Sequence, residues 1–559
     1  MLRAFAMHKY RKTEELSEKF WDFSMEQEDG LKENRKMWVP GCWESCPGLE
    51  NYRGIGQYQT TFEAEGNVRI AFKGVSHFAK VYIDDVLVGE HYGSYTPFEV
   101  YGKDLHLGVH NLRVEVDNSF SEKYALDIPN DYYSYGGISR GVELEFLPDV
   151  FLQWIHVTPL QEKNGVWDVK VEVKCENLSE QEQHFDLDVQ MPNEELVEKD
   201  CVLPAHEEHV YTFETKMEHA QSWSPEHPVL YMVTAQIRKA GVVTDDLVER
   251  FGLRLVRVEG NQILLNGKAL RIKGFCRHED HPEYGCALPA AEMQRDLQLM
   301  KDMGANSVRT SHYPNDERFL DYCDELGILV WEENHARGLE VEQMQNPLFE
   351  EQCEKVISEM ITAHYNHPSI YIWGILNECG SETEYGRMCY KAQYEKIASL
   401  DQSRPYSSAS CKYEKDICQD LEMVCSWNMY PYWYEEDTAT QRLTKLHEWL
   451  QQPQRGAGKP LLVTEIGAGG IYGFRSTAQD VWSEELQSEI LGKQLSEVAA
   501  FENCSGMYIW QFCDVRVSKE WAMRRPKSRN NKGIVDEYRR PKLAYETVKK
   551  IFTALPNYR

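Results

Sequence analysis

Three rhythms of apolar and polar positions follow one another along the chain. Up to about residue 150 the apolar runs are short: Val68–Phe72, then Ala79–Val88 folded back at Asp84-Asp85, then Asn111–Val116. Many short strands separated by Gly and Asp turns predict a β-sandwich or jelly roll over residues 1–150. From about 151 to 257 the alternation is cleaner. Val169, Val171 and Val173 interleave with Lys170, Glu172 and Lys174, and Phe185-Asp-Leu-Asp-Val189 repeats the pattern. That period of two predicts an immunoglobulin-like sandwich, a spacer without chemistry of its own. Over 258–559 strands and helices alternate. Strand-like runs fall at Leu270–Gly274, Ser307–Thr310, Ile328–Trp331, Ile370–Leu376, Tyr406–Ser410, Met423–Trp427, Leu461–Thr464 and Met507–Trp510. A helix is predicted between Pro289 and Gly304, with Met293, Leu297, Met300 and Met303 on one stripe. Eight such strands over roughly 300 residues predict a (β/α)8 TIM barrel.

Two of these runs end abruptly in a carboxylate: Ile370 to Leu376 continues into Asn377-Glu378, and Leu461 to Thr464 into Glu465. Runs this apolar fit strands buried on both faces, and a charge just past them sits at the C-terminal mouth of the barrel. Glu378 follows strand four and Glu465 strand seven, on opposite sides of that mouth. Such a pair suits retaining glycoside hydrolysis, with carboxyls about 5–5.5 Å apart, one nucleophile and one acid then base. The acid should be held protonated by burial and like charge, and the nucleophile ionised by hydrogen bonds. Two unrelated loop glutamates are the plainer explanation; their places on matching strands count against it.

Other polar residues end the remaining strands: Arg277-His278-Glu279-Asp280, Ser311-His312-Tyr313, Glu332 to His335 with Arg337, Asn428 to Tyr434, and Gln511 with Asp514. Neighbours such as His278, Glu279, Asp280 and His281 rarely converge on one ion, so no metal and no cofactor is expected. Between Arg516 and Lys532 seven cations face the single acid Glu520, in a chain of formal charge −29. A solvated basic loop is the bland explanation; recognition of an anionic group on the substrate, by Asn530 and Lys532, is the functional one.

The remaining bulk properties narrow the field. A chain of 559 residues calls for about two to four domains. The acidic charge argues against nucleic acid or an anionic membrane as partner, and no apolar run approaches the ~20 residues of a membrane span. The opening stretch Met1–Arg11 has no sustained apolar core of the secretory kind. Fifteen scattered cysteines, with Cys42 and Cys46 the nearest pair, are taken as buried free thiols of a cytoplasmic protein rather than bridges.

Asn377-Glu378, Thr464-Glu465, Gly274-Phe-Cys-Arg-His-Glu-Asp280, Arg309-Thr-Ser-His-Tyr-Pro314 and Tyr95-Thr-Pro-Phe98 together resemble glycoside hydrolase family 2. Asn530-Asn531-Lys532-Gly533 resembles the Asn-x-Lys motif by which its β-glucuronidases bind the sugar carboxylate. The resemblance spans nearly the whole chain and implies a sugar-binding jelly roll, an immunoglobulin-like domain and a catalytic barrel. It implies Glu378 as acid/base and Glu465 as nucleophile, and Asn377 on the sugar 2-hydroxyl. Asp131 and His312 would hold other hydroxyls. Tyr430 and Tyr434 match site tyrosines, Trp510 matches the barrel-floor tryptophan, and Asn530 and Lys532 would take the carboxylate. A homo-oligomer is left open.

This chain departs from the family pattern in three places. The segment after strand three leads from Arg337 to Asn346 straight into a helix, which opens the mouth to other or larger aglycones. Arg337 stands where family members usually have a small or apolar residue, either as a further carboxylate or hydroxyl contact or as a surface partner of Glu340. The arginine usually four residues before the motif asparagine is replaced by Pro526, with Arg525 and Arg529 nearby. The expected activity is therefore exo-hydrolysis of small-molecule or oligosaccharide β-uronides, glucuronide and galacturonide both open. A neutral-sugar β-glycosidase of the same fold and a non-catalytic carbohydrate-binding protein are the alternatives.

Overall fold

The computed structural model describes residues 5–26, 32–452 and 454–559. The first four residues of the Met1–Arg11 stretch lie outside the described residues. The N-terminal sandwich is built on two long strands, Ile55–Phe72 and Phe98–Asp117, which pair antiparallel along nearly their whole length. Their register slips at Ala64 to Val68, and the halves on either side of the slip have different partners. The first half of Ile55–Phe72 pairs Lys19–Glu26, and the second half pairs Val142–Leu147. Two strands thereby serve both layers of the sandwich, turning the corner at an irregularity. The predicted hairpin is present, Phe78–Ile83 against Val86–Tyr92. Its turn residues Asp84 and Asp85 have φ of 48° and 65°, the paired left-handed conformation of a tight hairpin turn.

The second unit is a seven-stranded sandwich, three strands against four. Val169, Val171 and Val173 point into its core, as do Phe185, Leu187 and Val189. The alternation read from the sequence therefore gives the correct inward face.

Eight parallel strands follow, labelled here β1 (Ile272–Cys276), β2 (Ser307–Thr310), β3 (Leu329–Glu333), β4 (Ile370–Asn377), β5 (Tyr406–Ala409), β6 (Cys425–Asn428), β7 (Leu461–Ile466) and β8 (Cys504–Ile509). They pair in barrel order, and a single bridge between Ser410 and Trp427 closes the seam between β5 and β6. β5 is polar because its serines bond sideways: Ser407 Oγ meets Ser426 Oγ at 2.9 Å and Ser408 Oγ donates to Glu422 at 2.9 Å. The helix Ala290–Asp302 buries Met293, Leu297 and Met300, and the fourth predicted position, Met303, is its buried C-cap. The strand ends differ from the sequence expectation by up to three residues, because periodicity cannot locate where a ladder stops.

The loop Asn130–Ile138 reaches out of the first sandwich. Tyr132 belongs to the same buried cluster as the barrel strands, and Tyr135 donates to Asp280 at 2.8 Å. Tyr95 stacks on Tyr313 of the barrel with ring centroids 3.8 Å apart. All fifteen cysteines are free thiols. Cys42 faces Cys286 across the same interface, with Sγ atoms 3.5 Å apart, and Cys46 lies beside Met37.

Candidate active site

The two carboxylates are placed by strand ends. Glu465 belongs to β7 itself, and Glu378 is the first residue past β4, with φ of 56°. A side chain at positive φ is costly for a non-glycine residue and is tolerated where the surroundings impose it. One hydrogen-bonded chain joins the two acids. Arg309 Nη1 donates to Glu465 Oε1 at 3.0 Å, and Arg309 Nη2 to Asn377 Oδ1 at 2.8 Å. Asn428 Nδ2 donates both to Asn377 Oδ1 at 3.0 Å and to Glu378 Oε1 at 2.9 Å. Two donors on Asn377 Oδ1 fix which way its amide points, and its buried Nδ2 is left without a partner.

Tyr430 donates to Glu465 Oε2 at 2.5 Å. His312 holds Glu333 with Nδ1 at 2.8 Å, and its ring stacks on Trp510 at 5.0 Å. Burial, then the Arg309 charge, pushes His312 well below the usual imidazole value, so it is neutral, with Nε2 buried and unpartnered. Glu333 also accepts from Arg309 Nε at 2.8 Å and from Trp331 Nε1 at 2.8 Å.

The electrostatics of Glu465 differ from the sequence expectation. Burial, and next the nearby charge of Glu378, push its carboxyl up to about 7. Arg309, Tyr430 and Arg337 pull it down but do not win. A neighbouring negative charge disfavours ionisation of a buried carboxyl, and here it adds to the effect of burial.

Beside the acids lies a cationic corner. Lys532, buried, donates to the Tyr434 hydroxyl at 2.8 Å, and Arg525 Nη1 approaches the same oxygen at 3.2 Å. Arg525 Nη2 pairs with Asp131 Oδ2 at 2.7 Å, and Asn530 Nδ2 donates to that oxygen at 3.1 Å. Arg337 Nη2 lies 3.0 Å from Asp131 Oδ1 and 4.0 Å from Glu378 Oε2, and its Nη1 donates to Asn130 Oδ1 at 2.8 Å. Arg337 thus turns into the pocket and not toward Glu340. Burial opposes the charge of Asp131, yet Arg337 and then Arg525 hold it well below the usual carboxylate range. Tyr434 is 61% exposed; local desolvation of its hydroxyl opposes ionisation, but Lys532 and Arg525 bring the phenol down to about 8. Burial and then Arg525 lower Lys532 itself.

All the sequence-predicted residues therefore converge on one mouth: Asp131, His312, Arg337, Asn377, Glu378, Tyr430, Tyr434, Glu465, Trp510, Asn530 and Lys532. Three more belong with them. Arg309 was legible as a charge inside a buried strand, and Asn428 as the polar residue ending β6. Arg525 was marked only by its place in the basic segment, beside Pro526 where the family arginine is missing. That segment divides: Arg525 and Lys532 turn inward, whereas Arg516 grips the first sandwich through the Glu50 carbonyl at 2.6 Å. His278, Glu279 and Asp280 go to different partners, Glu279 to Arg140 and Asp280 to Tyr135. Asp321, Asp324 and His367 lie close together elsewhere, where Arg250 Nη2 is 2.6 Å from Asp321.

Comparison with known proteins places this geometry. Residues 256–557 match the TIM barrel domain of the glycosyl hydrolases family 2, residues 150–254 a further model described as glycosyl hydrolases family 2, and residues 27–148 the family's sugar binding domain. A β-galacturonidase of Eisenbergiella tayi, solved bound to galacturonate, is 55% identical with a TM-score of 0.97, covering 100% of both chains. A β-D-glucuronidase structure from Dictyoglomus thermophilum is 25% identical with a TM-score of 0.85, covering 100% of both chains. A β-glucuronidase of Streptococcus agalactiae is 28% identical over 88% of this chain and 86% of its own.

Proposed function

The chain belongs to glycosyl hydrolase family 2, and from that premise we propose that it is an exo-acting, retaining β-hexuronidase. The observation that carries this is the hydrogen-bonded chain from Glu465 through Arg309, Asn377 and Asn428 to Glu378, beside the buried Lys532 and the half-buried Arg525. Glu465 attacks the anomeric carbon, and its bond to that carbon forms as the bond to the aglycone oxygen breaks. Glu378 gives its proton to the departing oxygen. Glu378 then takes a proton from water, whose oxygen displaces Glu465 and restores the β configuration. Asn377, its Nδ2 free, donates to the sugar 2-hydroxyl, and neutral His312 accepts from a hydroxyl with Nε2. Trp510 forms the floor beneath the sugar. Lys532 and Asn530 take the sugar carboxylate, with Arg525 supplying the charge that the displaced family arginine would have supplied. Asp131 and Tyr434 share those cations.

Of the two epimers, β-galacturonide is favoured. The support is the likeness over the whole chain to the galacturonate-bound relative, and the entry of Arg337 into the pocket. Fifteen unbridged thiols suit a reducing cytoplasm, and among the described residues no helix is long and apolar enough to cross a membrane.

A panel of nitrophenyl glycosides separates a uronidase from a neutral-sugar enzyme. Lys532→Ala should lose about 1.5–3 kcal/mol of uronide preference, measured as kcat/KM against the matched neutral glycoside. Unchanged uronide turnover in that variant would reject the carboxylate assignment. Trapping of Glu465 by a 2-fluoro uronosyl fluoride excludes a merely binding protein.

A further inference from the structure

The segment Asn530–Gly533 has no regular element to hold it beyond a two-residue pairing at Asn530, yet it carries both carboxylate ligands. Its main chain is pinned from below. Gly533 N donates to Asp514 Oδ1 at 2.9 Å, and Gly533 O accepts from Gln487 at 3.0 Å. The Asn531 carbonyl accepts from Gly470 N at 2.8 Å, and the Lys532 carbonyl from Gln511 N at 3.0 Å.

Beneath these contacts lies one ion pair. Lys542 Nζ donates to Asp514 Oδ1 at 2.6 Å and to the Gly470 carbonyl at 2.6 Å, and approaches the Asn531 carbonyl at 3.5 Å. Asp514 and Lys542 are 1% and 2% exposed, so both charges are out of water and each depends on the other. A side chain at Gly533 would put Cβ 2.3 Å from Asp514 N and 2.4 Å from Val535 O, so the segment seats directly on the main chain that carries Asp514. A single ammonium therefore ties the loop after β7, the loop after β8 and the entry to the last helix to the loop bearing the ligands.

We propose that Asp514 and Lys542 are positioning residues that set the height of Asn530 and Lys532 and thereby tune uronide recognition. This rests on the assignment of Lys532 to the sugar carboxylate. Neither residue touches the sugar; they act through the main chain of residues 531–533. A displacement of about 1 Å in a binding group costs up to about a hundredfold. In Asp514→Asn, KM for a nitrophenyl β-uronide should rise about 10- to 100-fold while kcat falls far less. In a Lys532→Ala background the same substitution should add little, because the group it positions is gone.

A folded Asp514→Asn with native KM, or an equal loss in both backgrounds, overturns the proposal. If Lys532→Ala alone leaves uronide KM unchanged, the carboxylate assignment has failed and this proposal falls with it. If only Lys532→Ala acts, the proposal alone fails. Should the unpaired lysine prevent folding, the double variant Asp514→Asn/Lys542→Met removes both charges. It should fold and still show the raised uronide KM, and a native KM in it is equally fatal.

Discussion

Tyr430→Phe removes one oxygen, the donor 2.5 Å from Glu465 Oε2, and keeps the ring. Burial and the charge of Glu378 already hold Glu465 at about 7, and the Tyr430 hydrogen bond is among the groups that oppose them. Without it the carboxyl moves further up. A hydrogen bond to a charged group contributes about 1.5–3 kcal/mol, and one pKa unit is about 1.4 kcal/mol, so the smaller value gives a shift of about one unit. At pH 7 the ionised fraction of Glu465 then falls from about a half to about a tenth, and kcat/KM falls about fivefold. The loss deepens toward acid and closes toward base, as both enzymes become fully ionised. The assay is kcat/KM on a nitrophenyl β-uronide from about pH 5 to pH 9, where the acid limb reports the ionisation of Glu465. A variant-to-native ratio constant across that range would refute the reasoning, because the hydroxyl would then not act through the ionisation of Glu465.

Other consequences follow from the same contacts. Arg337→Ala, assayed on β-galacturonide and β-glucuronide, should change the ratio of the two rates, since its guanidinium stands between Asp131 and Glu378; an unchanged ratio removes it from epimer choice. Arg309→Met leaves buried Glu333 and Glu465 without their cation. It should lower stability by about 3–5 kcal/mol, seen as a lower thermal midpoint, and abolish most turnover. Retention of both would show that the other partners of Glu333 and Glu465 suffice.

Sequence and structure agree where the chemistry breaks a pattern. Glu378 and Glu465 could be read because a charge at the end of an apolar run has one plausible place, the barrel mouth. Lys532 and Asn530 could be read because seven cations in an acidic chain are locally out of balance. The direction in which a side chain turns could not be read. Nothing in the spacing from Arg337 to Glu340 says that the guanidinium prefers Asp131, some two hundred positions earlier. Arg525 and Arg524 are neighbours in sequence with one charge each, yet only Arg525 reaches Asp131. The upward push on the Glu465 carboxyl could not be read for a related reason. Donors to a carboxylate can be inferred from motif residues, whereas its desolvation depends on how the surrounding chain packs around it.

The loop from Asn130 to Ile138 bears on what could be cut from this protein. It leaves the sandwich only to become part of the barrel's own interior, with Tyr132 among the barrel's buried side chains and Asp131 seated between Arg337 and Arg525. A fragment beginning at residue 258 would keep Glu378 and Glu465 but expose the surface this loop seals, and leave Arg337 and Arg525 without their shared anion. The first sandwich thus forms one wall of the candidate site, and barrel and sandwich complete it together.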